Sequence, residues 1–398
     1  MQKIAPYLIL ALLLPSCGDE EGSPFLDASS SLNNEMEMTD VLPDARVNEE
    51  GEADVADPPR VDTTLNRVDV SSGDVEAMED VMDVAEADGK ETPEPEQEGW
   101  GTTTEAPPVF AASDVSQTTI ETTLQWVGIA TEAWGQYGPL EIWIVGKDKD
   151  AVIELDEVWC ERRQDLDPKW KIEWDCANGD PYESGNGWSP FFNYIEEGGA
   201  AVSVYRRAYI DYHFQTMTLS AKYPGPEEED YRSVTMHEYF HVYQHAHIFD
   251  IQTNQGDDAR EEKMGGKGKP WFAEGSAEFM SQLLYSRQPE AGPNHLKERM
   301  QWKYNSVGAY KDFGKRLEEL TYSDPVPTYD IGTWFIAYLV HKNGEEAVKV
   351  GFYQDVDSLG FEGSFEKHFG QSATEAVDEF DEFLEQGLDA ALAILPTE

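Results

Sequence analysis

The sequence predicts a single α+β domain of just under 300 residues behind a long acidic N-terminal segment. Three observations carry this. Of 398 residues, 79 are Asp or Glu and 29 Lys or Arg, a formal charge of −50. The acid excess is uneven: residues 18–106 hold 27 acidic and 4 basic residues, whereas residues 107–398 hold 10 of the 11 tryptophans. Strand-like apolar runs then lie between residues 140 and 220, and after Pro224 the pattern turns mostly helical. Strands before helices, without a βαβ alternation, argue α+β. No internal repeat is evident. A polyanionic chain lacks the basic footprint that nucleic-acid binding needs, so that class of partner is excluded.

At the N-terminus, Lys3 precedes an apolar run from Ala5 to Leu14, too short to span a bilayer and of the length of a signal-peptide core. It ends in Leu14-Pro15-Ser16-Cys17, which resembles the lipobox of bacterial lipoproteins. The resemblance implies a signal peptide over residues 1–16, a lipid on Cys17, and an exported protein anchored at the outer membrane or cell surface. Residues 17–112 are rich in Asp, Glu, Ser and Pro. Such composition cannot bury enough apolar surface to offset chain entropy, and a disordered tether is expected. A coil of that length spans about 50–60 Å. The folded domain is expected over residues 113–398, with an α/β part to residue 225 and a helical part beyond it.

Within the domain, Ile120, Leu124 and Val127 recur at helical spacing, and Gly135 to Pro139 stops that helix. Leu140 to Val145 reads as a strand ending at Gly146, and residues 150–163 as a helix. Residues 164–199, rich in Gly, Asn and Asp, read as a surface excursion. Ala200 to Ser220 contains two strands or a hairpin. With Cys17 taken by lipid, Cys160 and Cys176 are expected to form a disulfide, worth about 3 kcal/mol in the chain-entropy model. Zinc ligation by this pair lacks the CxxC spacing that would support it. Near the C-terminus, Phe380, Phe383, Leu384 and Leu388 keep helical spacing. The acidic residues among them read as a solvated face, with no EF-hand loop to suggest calcium.

The chemistry concentrates in His237-Glu238-Tyr239-Phe240-His241. On a helix, His237 and His241 project from one face and can bind one metal, while Glu238 lies about 100° round, placed to act as general base on a metal-bound water. That is the HExxH pattern. A catalytic zinc takes three protein ligands and keeps a fourth position for water, so a further group is needed. His247 stands where metzincins carry a third histidine, but that motif requires Gly at the position of Gln244. Glu274 and Glu278, in Pro270-Trp-Phe-Ala-Glu-Gly-Ser-Ala-Glu278, are the stronger candidates. Pro270 suits a helix start. Four apart on one helix face, one carboxylate can ligate and the other can fix the tautomer of a ligand histidine.

Here the chain resembles the gluzincin metallopeptidases, whose HExxH helix is followed by a second helix with a W-x-x-E-G-x-x-E-like run. The resemblance implies a zincin-like fold, one Zn2+ held by His237, His241 and Glu274, and Glu278 as the partner of a ligand histidine. The 33 residues from His241 to Glu274 exceed the spacing in the best-known members, which makes the polar stretch 250–269 an inserted loop. Tyr329-Asp-Ile-Gly332 resembles the Tyr-x-x-Gly helix start of the aminopeptidase branch, which implies that the Tyr329 hydroxyl stabilises the reaction's oxyanion. Tyr322 and His341 are the alternatives. The GxMEN strand of that branch has no counterpart in residues 200–220, so an endopeptidase is expected. The expected activity is zinc-dependent hydrolysis of a peptide or protein substrate by a monomer, with Glu238 as base. A silent surface binding protein on the same fold, or a zinc hydrolase of a non-peptide amide, are the competing readings.

Overall fold

The computed structural model describes residues 101–167, 170–172, 176, 189–206, 213–248 and 257–397. The expected signal peptide, Cys17 and nearly all of the expected tether lie outside the described residues. Ordered structure nevertheless begins before the expected boundary at residue 113. Strand β1 (Gly101–Thr102) pairs antiparallel with β3 (Tyr137–Gly138), and β2 (Val109–Ala111) joins the main sheet. Three apolar residues in an acidic, Pro-containing stretch carry too little periodicity to be read as a strand.

The main sheet has the order β2-β4-β6-β5, with β4 at Leu140–Val145, β5 at Ala200–Arg206 and β6 at His213–Ser220. Strands β5 and β6 form the expected antiparallel pair, but β2, β4 and β6 run parallel. The expected absence of βαβ alternation is therefore corrected. Helix α1 (Gln117–Trp134) connects β2 to β4, and α2 (Lys149–Leu166) with the short α3 (Phe192–Glu196) lies between β4 and β5 in the chain. The mixed sheet and the helical remainder together are α+β.

Burial explains why β4, Glu141 apart, reads as an apolar run. Both of its faces are covered. Ile142 and Ile144 pack in one core with Trp126, Val127 and Ala130 of α1 and with α4 (Glu229–Ile248). Trp143 and Val145 pack in a second core with Val152, Leu155 and Trp159 of α2 and with Phe191 and Ile195. The end of the expected surface excursion is thus part of a core, because Phe191 is fully buried. Glu141 shares the α2 face and takes ion pairs from Arg162 and Arg163, the latter stacked on Trp159 and Phe214. Cys160 and Cys176 form the expected disulfide, with Cα atoms 6.1 Å apart.

Among the described residues, no cation pairs with Asp156 on α2. Ser189 donates to its carboxylate at 2.6 Å, yet burial pushes its pKa up to about 7. A carboxyl raised in the folded state contributes stability below its unfolded pKa and loses that contribution as pH climbs through the folded value. Asp156→Asn keeps an acceptor for Ser189 and removes the titration. Denaturant unfolding at pH 4 and pH 8 is expected to show the variant gaining about 2–4 kcal/mol on wild type between the two; parallel pH profiles would refute the assignment.

The helical half is built on α6 (Pro270–Ser286) and α9 (Thr328–Asn343). Every residue of α9 from Asp330 to Val340 is buried, as its apolar sequence on all sides requires. Around this pair lie α5 (Asp257–Glu262), α7 (His295–Lys303), α8 (Val307–Phe313), α10 (Tyr353–Phe369), α11 (Ala373–Leu384) and α12 (Leu388–Ala393). The described end of the expected 250–269 insertion is α5 followed by a glycine turn, and Trp271 ties that turn down by donating to the Gly265 carbonyl at 2.9 Å. No helix among the described residues is long and apolar enough to cross a membrane.

The α6–α9 crossing is set by two glycines. A Cβ on Gly275 would stand 2.5 Å from the Gly332 carbonyl carbon, and one on Gly332 would stand 2.2 Å from the Trp271 oxygen. Backbones this close leave no room for a methyl group. The glycines of the two motifs are therefore the two halves of one contact, which fixes Glu274, next to Gly275, relative to Tyr329, one turn before Gly332.

Candidate metal centre

Helix α4 lies between the sheet, α1 and α6, and Met236, Tyr239, Phe240 and Val242 anchor it in the main core. Glu229 and Asp230 in its first turn favour the positive end of the helix dipole. Its remaining face presents His237 and His241 to α6. Glu274 meets them from α6, and these three form a cluster able to hold a metal ion.

The three ligand atoms form a nearly equilateral triangle. The Nε2 atoms of His237 and His241 are 3.1 Å apart, and each is 3.2 Å from Oε2 of Glu274. Metal–ligand bonds of about 2.0–2.1 Å in tetrahedral geometry separate ligand atoms by about 3.3 Å.

The outer hydrogen bonds settle which atoms face inward. His237 Nδ1 lies 3.1 Å from Oε2 of Glu278, and as a carboxylate only accepts, this nitrogen is the donor. His241 Nδ1 donates to Oε1 of Gln244 at 2.7 Å. The Gln244 amide cannot be turned round, because its nitrogen sits among the Ala273 carbonyl, Ser276 Oγ and the Tyr353 hydroxyl, all at 2.8–2.9 Å. With both Nδ1 atoms donating outward, the imidazoles in their neutral form turn two lone pairs, and Glu274 one carboxylate oxygen, toward a single point. A divalent cation at that point would satisfy all three.

The electrostatics agree. Burial opposes charge on His237, but hydrogen bonds to Glu274 and Glu278 outweigh it and hold its pKa well above the usual imidazole value. Glu274 overcomes burial at His241 in the same direction. Against burial, the two imidazoles keep Glu274 below the carboxylate range, and Lys303 with His237 does the same for Glu278. The centre draws positive charge inward.

Glu238 stands beside this triangle, 6% exposed, and its pKa is raised by burial against the opposing pull of His237 and His241. With His237, His241, Glu274, Tyr329, Ala200 and Ala201 it lines a cleft of about 100 Å³. Strand β5, at the edge of the described sheet, forms one wall.

Of the sequence candidates, His237, Glu238, His241, Glu274 and Tyr329 share this cleft, and Glu278 stands behind His237. His247 does not join them. Its Nδ1 contacts the Tyr243 carbonyl at 2.8 Å, its ring packs on Tyr137, Tyr243 and Tyr353, and burial lowers its pKa. Tyr322 donates to Oε1 of Glu274 at 3.2 Å, so it steadies the carboxylate that joins the imidazoles. His341 is exposed and twelve residues along α9 from Tyr329, about 18 Å at the helical rise. Gln244 was legible only as a departure from the metzincin pattern, although its place three residues after His241 on one helix allows the hydrogen bond.

A scan against protein-family models, a search of curated proteins and a search of solved structures gave no match to this chain.

Proposed function

We propose that this chain is a zinc-dependent peptidase of gluzincin type, an endopeptidase acting on peptide or protein substrates, with His237, His241 and Glu274 as the metal ligands. One observation carries the reading: three lone pairs meet at tetrahedral spacing, with a carboxylate beside them that is not needed to hold them. A metal held for structure alone has no use for Glu238, which takes no hydrogen bond from a described residue. That counts against a silent binding protein on the same fold.

A zinc ion bound by the three side chains would polarise the scissile carbonyl and lower the pKa of an attacking water. Glu238 receives the proton of that water and delivers it to the leaving amine. Tyr329, which lines the cleft from the first turn of α9, donates a hydrogen bond from its hydroxyl to the oxyanion that develops on the carbonyl. Tyr322 keeps Glu274 oriented. In the same reading, a lipid on Cys17 holds the domain at a bacterial membrane surface, a part of the proposal that rests on the sequence alone.

Zinc quantification on wild type and Glu274→Ala side by side tests the ligand set. Wild type is expected to carry one equivalent and to cleave a denatured protein mixture until chelator is added. The variant is expected to lose most of its zinc, since it keeps only two ligands. Equal zinc in both proteins would remove Glu274 from the centre.

A further inference from the structure

The outer hydrogen bond of His237 leads further into the protein than that of His241. Glu278 accepts from His237 on one oxygen, and its other oxygen accepts from Lys303 Nζ at 3.0 Å and from Gln282 Nε2 at 3.2 Å. Lys303, the last residue of α7, is 7% exposed, and its ammonium also donates to Oδ1 of Asp330 at 3.2 Å. Asp330 is buried on the first turn of α9, directly after Tyr329, and Ser306 donates to its second oxygen at 2.5 Å. One buried cation thus joins the helix that carries the outer partner of His237 to the helix that carries Tyr329.

Charge makes this more than a brace. Glu238, Glu274, Glu278 and Asp330 bring four carboxylates into one region around two imidazoles, and Lys303 is the ammonium that pairs with two of them. A divalent ion at the centre together with Lys303 leaves the group at a net of about −1; without Lys303 the same group stands at about −2. Burial works against a charged Lys303, and Glu278 and Asp330 more than compensate for it.

We infer that Lys303 is a positioning residue of the metal centre: its ammonium holds Glu278 as an oriented carboxylate, Glu278 fixes the Nδ1–H tautomer of His237, and Nε2 of His237 is thereby presented to the ion. Gln244 gives His241 the same orientation with a neutral amide, so the two imidazoles are unlike ligands. His237 is backed by an ion pair, and His241 by a dipole. The inference rests on the metal-centre reading and adds to it a residue that touches neither substrate nor ion.

The test is a zinc-affinity cycle on the full chain, by competition with a chromogenic chelator, over wild type, Lys303→Met, Glu278→Gln and the double variant. The visible spectrum of each cobalt-substituted protein is recorded alongside. Outer partners of ligand histidines are typically worth 10–100-fold in metal affinity. Lys303→Met is expected to weaken zinc about 10-fold and to change the cobalt bands, and the double variant to bind no more weakly than Glu278→Gln alone. Zinc affinity and cobalt spectrum unchanged in Lys303→Met, with only the melting temperature lowered, would reduce Lys303 to a brace. Losses that multiply in the double variant would show that it does not act through Glu278. Should Lys303→Met fail to fold, Asp330→Asn with and without Lys303→Met makes the same comparison with one fewer stranded carboxylate. A wild type that takes up no zinc overturns the metal reading and this inference with it, whereas a wild type with one equivalent and an unresponsive Lys303→Met overturns the inference alone.

Discussion

Glu238→Gln is expected to keep one equivalent of zinc and to lose peptide hydrolysis by about 10³-fold or more. The substitution is nearly isosteric, and none of the three converging ligand atoms belongs to residue 238. What disappears is an oxygen able to take a proton from the attacking water and return it to the leaving amine. The variant also sheds one of four clustered carboxylates, so its folding stability is expected to match or exceed that of wild type. The two measurements are metal content after gel filtration and initial rates on an unfolded protein substrate. Hydrolysis at near wild-type rate with zinc in place would end the base assignment; loss of zinc would mean that residue 238 has a ligand role which its position beside the triangle does not suggest.

The second large effect is structural. In Gly332→Ala the added methyl meets the Trp271 carbonyl at 2.2 Å, a backbone atom that cannot swing aside as a flexible side chain could. Overpacking of a well-filled core costs about 1–3 kcal/mol, and a clash between two helix backbones belongs at or above the top of that range. Relief requires α6 and α9 to part, and Trp271 is one turn from Glu274. A shift of about 1 Å at the ligand carboxylate is enough to spoil a centre. The variant is therefore expected to lose about 3 kcal/mol in denaturant unfolding and to bind zinc more weakly than wild type at a temperature where both are folded. Gly128→Ala serves as the control. That glycine lies on the exposed face of α1 with nothing within 4 Å of the added carbon, and the change is expected to be neutral or to stabilise by about 0.5–1 kcal/mol. Equal melting curves for wild type and Gly332→Ala would show that the two helices can part to admit a methyl group at no cost.

The centre was legible in the sequence to the extent that its parts are local. His237 and His241 are one helical turn apart, as are Glu274 and Glu278, and spacing of that kind survives any uncertainty about the rest of the fold. The disulfide was legible because only two thiols remained. The parallel pairing of β2, β4 and β6 was not, because β2 is three residues long and β4, apolar on both faces, looks the same in a parallel or an antiparallel sheet. Lys303 gave no signal at all: a lysine between Trp302 and Tyr304 reads as solvent-facing until α7 is placed against α6 and α9. Gln244 drew attention only for the glycine it replaced in another motif, when its own hydrogen-bonding capacity was the informative property. Gly275 and Gly332 stood within recognised motifs, but their reason for being glycine is the contact they make with each other's helices, which neither stretch reveals by itself.

The connection from Ile248 to Pro270 lies between two fixed points, the imidazole-bearing helix on one side and the Trp271–Gly265 hydrogen bond on the other. Closing such a segment costs free energy that grows only logarithmically with its length, about 0.6 kcal/mol for each doubling. The number of residues separating His241 from Glu274 accordingly carries little information about the chemistry they perform. Tolerance in this chain is distributed in an unexpected way: extra chain length between the two ligand helices costs little, and one extra carbon at the contact between α6 and α9 costs much.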